Sequence, residues 1–149
     1  MKPTPFYTVI KTTRGKYPAI VVVNSALRKF NQKEQFPWHL TITIGCNFLG
    51  TRGMPTPEEV EVLEAIEDGI NSQLETAADN VIFLARVTCQ GERNLLYRVS
   101  DPEVANKTLQ ELVSDPSPLR EWDYEMESDP SWELAVPELK LLESDPRIN

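Results

Sequence analysis

Histidine is almost absent from the chain, since His39 is the only one among 149 residues. A single imidazole excludes zinc sites built from histidine pairs. No G-x-S-x-G occurs to frame a nucleophilic serine. Cysteine is nearly as scarce: Cys46 and Cys89 are the only two and form no C-x-x-C pair. They read as free thiols on apolar strand faces rather than a disulfide framework. Walker and dinucleotide-binding glycine patterns are missing. No apolar run approaches the length of a membrane-spanning helix, so no membrane partner is expected. The opening residues, from Met1 to Tyr7, lack the apolar stretch of a signal peptide, which makes the cytoplasm the expected compartment. These absences remove the common catalytic and metal chemistries, and the sequence calls for no cofactor and no metal.

What the chain has is acid, unevenly spread. Net charge is −8. Residues 1–52 carry eight Lys/Arg against Glu34 alone, whereas residues 101–149 carry four against thirteen acids. An acidic whole repels polyphosphate, so nucleic acid is not an expected partner. The basic N-terminal third, with Lys11, Arg14, Lys16, Arg28, Lys29 and Lys33, is expected to face the chain's own acidic third or to be scattered solvated charge.

The length suits one domain over 1–149. Residues 6–24 read as a β-hairpin turning at Gly15, followed by a polar loop or short helical turn over 24–35. Residues 36–46 alternate strictly. Phe36, Trp38, Leu40, Ile42, Ile44 and Cys46 fall on one face, with His39, Thr41 and Thr43 on the other. Thr56-Pro57-Glu58-Glu59 announces an amphipathic helix, with Thr56 as cap and Glu59 reaching back to the cap's N–H. Gly69 inside it suggests close packing. Strands follow at 81–89 and 94–99, then a helix from Asp101-Pro102, a strand at 120–127 and a short helix from Ser131 that Pro137 should break or kink. Ser-Asp-Pro recurs at 100, 114, 128 and 144 with unmatched flanks, as a turn and cap device rather than a repeat.

From residue 36 the order is βαββαβ, which predicts a ferredoxin-like α+β fold. An antiparallel sheet over 36–127 would carry both main helices on one face, with the hairpin before it and the C-terminal helix and tail (129–149) after it. The other face would then present His39, Thr41, Thr43, Arg86, Arg98, Asp123, Glu125 and Glu127 as the candidate binding face. Ile82, Leu84 and Leu96 beside them imply partial cover by residues 131–142, a second subunit or a partner.

Several segments carry a family resemblance. They are Pro18–Asn24, Leu40–Ile44, Met54–Glu59 with Leu63-x-x-Ile66-Glu67-Asp68, and Asp129-Pro130-Ser131-Trp132. In this order they resemble the bacterial domain-of-unknown-function family 695 over roughly residues 6–142. The resemblance implies a fold similar to the regulator of ribonuclease E activity B, a ferredoxin-like protein that inhibits an RNA-degrading enzyme by binding it. No site residue transfers with it.

The expected function is a non-catalytic protein-binding or regulatory module. Its open sheet face would meet a protein partner or a second copy. One alternative is a small-molecule-binding domain or enzyme pairing His39 with Glu125 or Asp123. Another is an inhibitor of a nuclease or toxin, in which acidic segments imitate nucleic-acid charge. A surface histidine and a solvated carboxylate strand are the plain readings of the same residues.

Overall fold

A computed structural model describes residues 2–77 and 79–144. The expected charged tail from Asp145 on, with the end of the fourth Ser-Asp-Pro triplet, lies outside the described residues. Strands β1 (Tyr7–Arg14), β2 (Tyr17–Asn24), β3 (Trp38–Gly45), β4 (Val81–Cys89), β5 (Glu92–Val99) and β6 (Trp122–Ser128) form one sheet. Its order is β1-β2-β4-β5-β3-β6, antiparallel throughout. Helices α1 (Pro57–Leu74), α2 (Pro102–Val113) and α3 (Val136–Leu141) complete the α+β architecture among the described residues. No helix there is long and apolar enough to cross a membrane.

The turns follow from local chemistry. Gln90 and Gly91 both take positive φ, 49° and 76°, the backbone of a two-residue hairpin turn that matches strand twist. Thr56 caps α1 by accepting the Glu59 N–H, with Pro57 in the first turn. Asp101 does the same for α2.

Two cores lie on opposite sides of the sheet. Leu63, Ile70 and Leu74 of α1, with Ala105 and Leu109 of α2, pack on Leu40, Ile42 and Ile44 of β3 and on Leu95, Tyr97 and Val99 of β5. On the other side Leu27, Phe36, Trp132, Ala135 and Leu142 pack on Val21, Val23, Ile82, Leu84, Ala85, Val87 and Leu96. The cover over the second face is therefore the chain's own C-terminal segment, together with the 3-10 turn Ser25–Lys29. It lies over β2, β4 and β5 and leaves the β3–β6 side open.

Several expectations need correction. The strand at 36–46 begins only at Trp38. Phe36 sits before Pro37 at φ −127°, ψ 67°, off the strand ladder, and its ring joins the second core, opposite Leu40. Strand β4 does not keep one alternation, because a bulge lies between Phe83 and Ala85. The extra residue, Leu84, reverses the facing of everything after it. Val81, Phe83 and Arg86 consequently face the helices, while Ile82, Leu84, Ala85 and Val87 face the C-terminal segment. Gly69 is exposed, and a Cβ there would meet nothing within 4 Å. Its smallness serves no packing. Pro137 opens α3 instead of breaking it, since a first-turn position needs no amide donor.

Candidate functional site

The expected binding face divides into a buried clamp and an open strip. Arg98 is fully buried, and Trp132 stacks on its guanidinium at 4.5 Å. Its nitrogens donate to the Phe36 carbonyl (3.3 and 3.2 Å), to Asp129 Oδ2 (2.9 Å), to the Asp129 carbonyl (2.6 Å) and to His39 Nδ1 (3.2 Å). Asp129 in turn accepts the Glu133 and Leu134 N–H groups. Trp132 Nε1 donates to the Lys33 and Phe36 carbonyls. These bonds tie the C-terminal segment to the sheet. Burial raises Asp129, but the bonds from Leu134 N–H and Arg98 outweigh it and hold the carboxyl below its usual range.

His39 is thus a buried histidine, not a surface one. Guanidinium can only donate, so Nδ1 must accept and the ring proton belongs on Nε2. Burial, then the positive charge of Arg98, lowers its pKa to about 4. The ring is neutral at physiological pH. Its register partner on β6 is Glu127, but its hydrogen bond goes to Arg98, so the acid/base pair envisaged with Glu125 or Asp123 is not formed.

The open strip is what remains. Thr41 and Thr43 on β3 stand opposite Glu125 and Asp123 on β6, with Glu127 opposite His39. All three carboxylates are exposed, and none takes part in the ion pairs formed among the described residues. Alternate residues of a strand lie about 7 Å apart, so they make an acidic rail along the sheet edge. Beside it runs a cleft of about 410 Å³, floored by Leu96, Asn94 and Val87 and roofed by Leu134, Pro137 and Leu141. His39 and Thr41 edge it on the rail side. Arg14 and Glu138 also line it, with Arg14 Nη2 2.8 Å from Glu138 Oε2. Burial raises the Glu138 carboxyl, against the pull of Arg14.

Arg86, expected on this face, is on the other one. The bulge in β4 turns it toward α1, where Nε and Nη2 each donate at 2.7 Å to the carboxylate of buried Glu67. Arg93 Nη1 lies 3.9 Å from the same carboxylate and is the buried side-chain nitrogen left without a hydrogen bond among the described residues. A groove of about 400 Å³ opens there between α1 and the hairpin, because neither helix covers β1 and β2. Tyr7, Phe83 and Tyr97 form an edge-to-face series along it, and the Tyr97 hydroxyl donates to Asn71 Oδ1.

Sequence reasoning missed this groove and the role of Glu59. Glu59 does not return a bond to its cap. It accepts the Asn47 N–H (2.6 Å) and Arg120 Nε (2.8 Å). The Arg120 hydrogen bond holds its pKa at about 2, against the upward push of burial. Burial pushes the Cys46 thiol up, and Cys46 and Cys89 are both free. Among the described residues no group of three or more His, Cys, Asp or Glu side chains could hold a metal ion.

A family model described as a family of unknown function (DUF695) matches residues 8–135. No curated protein and no solved structure matches the chain.

Proposed function

This chain belongs to the DUF695 family of unknown function, and from that premise and the geometry of the second sheet face we propose that it is a non-catalytic binding module for a basic surface of another protein. The observation that carries the reading is the rail of Asp123, Glu125 and Glu127, three exposed carboxylates in register on one strand that enter no ion pair among the described residues. The fold pairs its buried carboxylates closely: Glu59 with Arg120, Glu67 with Arg86, Asp129 with Arg98 and Glu138 with Arg14. Those four are buried, whereas the rail sets three exposed carboxylates on alternate residues of one edge strand. One strand in from the rail lies the cleft that Thr41 edges, with Leu96 and Val87 beside Asn94 on its floor, so a partner can set Lys or Arg on the carboxylates and an apolar side chain in the cleft.

We read the βαββαβ core as ferredoxin-like, with the hairpin extending its sheet. The neutral, Arg98-bound His39 supports binding over acid–base chemistry. A cationic, phosphate-binding surface of a nuclease is one partner of the required kind, consistent with the resemblance noted from the sequence.

Fluorescence anisotropy of a labelled lysine- and leucine-containing peptide tests the reading. Binding is expected at low salt, weakening as salt screens the rail. The double variant Asp123→Lys/Glu125→Lys should abolish it. Equal binding by wild type and variant would overturn it.

A further inference from the structure

The groove on the helix side is already occupied at one end, by the chain itself. Residues 2–5 run along it, and the Lys2 ammonium donates to the Val81 carbonyl at 2.9 Å. That is the one hydrogen bond these four residues make among the described residues. Pro3 and Pro5 have no amide N–H to offer the sheet, so little else fastens the strap. The groove around it suits an alkylammonium chain. Val22, Leu74, Val81 and Phe83 give it apolar walls. Glu67 is neutralised by Arg86, but Asp68 and Glu75 also line the groove and enter no ion pair among the described residues. Tyr7 and Phe83 meet edge to face close by and add aromatic surface for the alkyl stem of a lysine. Without Lys2 the groove holds a carbonyl and two unneutralised carboxylates beside apolar walls.

We propose that this groove is a lysine-recognition site occupied in cis by Lys2, and that it takes an extended, lysine-led segment of a partner protein in place of residues 2–5. The strap acts as a tethered pseudo-ligand. Its local concentration is about millimolar, so it lowers the apparent affinity of any partner without abolishing binding. The site is independent of the acidic rail, which lies across the sheet.

The probe is a fluorescein-labelled peptide, Lys-Pro-Thr-Pro-Phe, titrated into the full chain. Lys2→Ala removes the ammonium of the competitor and should tighten peptide binding about ten-fold, the worth of one charge-assisted hydrogen bond. Asp68→Asn/Glu75→Gln should weaken it by a similar factor in the Lys2→Ala background, whereas Asp123→Lys/Glu125→Lys should leave it unchanged. A peptide with norleucine for lysine should bind Lys2→Ala about ten-fold more weakly than the lysine peptide does. The proposal is overturned if Lys2→Ala and wild type bind alike, or if neither binds. It is also overturned if norleucine serves as well as lysine, if the rail variant abolishes binding, or if n-butylammonium competes as well as unlabelled peptide. The last result would make the groove a small-amine site.

Discussion

Arg98 and Asp129 stand 31 residues apart in the chain, and the guanidinium of the first grips both the carboxylate and the backbone carbonyl of the second, at 2.9 and 2.6 Å. This contact decides which part of the second sheet face is available. It holds Trp132 and the segment leading to α3 over β2, β4 and β5, and leaves the β3–β6 strip uncovered.

Replacing Arg98 with Met leaves Asp129 buried without its cation. The expected loss is about 3–5 kcal/mol of folding stability, measured by urea denaturation. Arg98→Lys should restore only part of it, since an ammonium cannot reproduce the fork that reaches Phe36, His39 and Asp129 together. Hydrogen exchange at Glu133 and Leu134, whose amides Asp129 accepts, should quicken in both variants.

His39 gives the clamp a pH dependence of definite sign. Its pKa in the fold is about 4, below the ordinary 6.5. Above pH 6.5 the ring is neutral in folded and unfolded chains and contributes no slope. As pH falls from 6.5 toward 4 the unfolded chain binds a proton that the fold refuses, and stability drops by up to about 3 kcal/mol. Below 4 the loss levels off. The difference between wild-type and His39→Gln stability curves isolates this loss from the carboxylates common to both. Parallel curves between pH 7 and 4 would contradict it.

The two arginines around Glu67 should respond unequally. Arg86→Met removes both short bonds to a buried carboxylate and is expected to destabilise by about 2 kcal/mol or more. Arg93→Met removes a buried cation whose Nη1 has no hydrogen-bond partner and whose charge burial disfavours. It should cost less than about 1 kcal/mol or stabilise the fold. Equal losses in chemical denaturation would mean that Arg93, too, is a required partner of Glu67.

These contrasts show where the sequence was readable. The alternation from Trp38 to Ile44 placed His39, Thr41 and Thr43 on one face, and Trp122 to Glu127 likewise put the three carboxylates opposite them, because polar and apolar residues there differ at every step. The run Val81-Ile82-Phe83-Leu84-Ala85 is apolar at every position. Nothing in it marks the bulge at Leu84, and Arg86 was therefore assigned to the wrong side. Glu59 satisfied a capping pattern, and only the fold brings Arg120 to it from 61 residues away. The Arg98–Asp129–Trp132 clamp was invisible for the same reason. Its members come from separate elements, and each alone reads as an ordinary surface or turn residue.

The most direct measurement is a two-dimensional ¹H–¹⁵N spectrum of the intact chain titrated with a lysine- and leucine-containing peptide at low salt. The expected result is a set of shifts confined to Thr41, Thr43 and residues 123–127, with the adjoining cleft at Asn94 and Leu96, vanishing for Asp123→Lys/Glu125→Lys. Shifts confined to α1 and the β1–β2 hairpin, or no shifts at all, would contradict the assignment of the β3–β6 face as the binding surface.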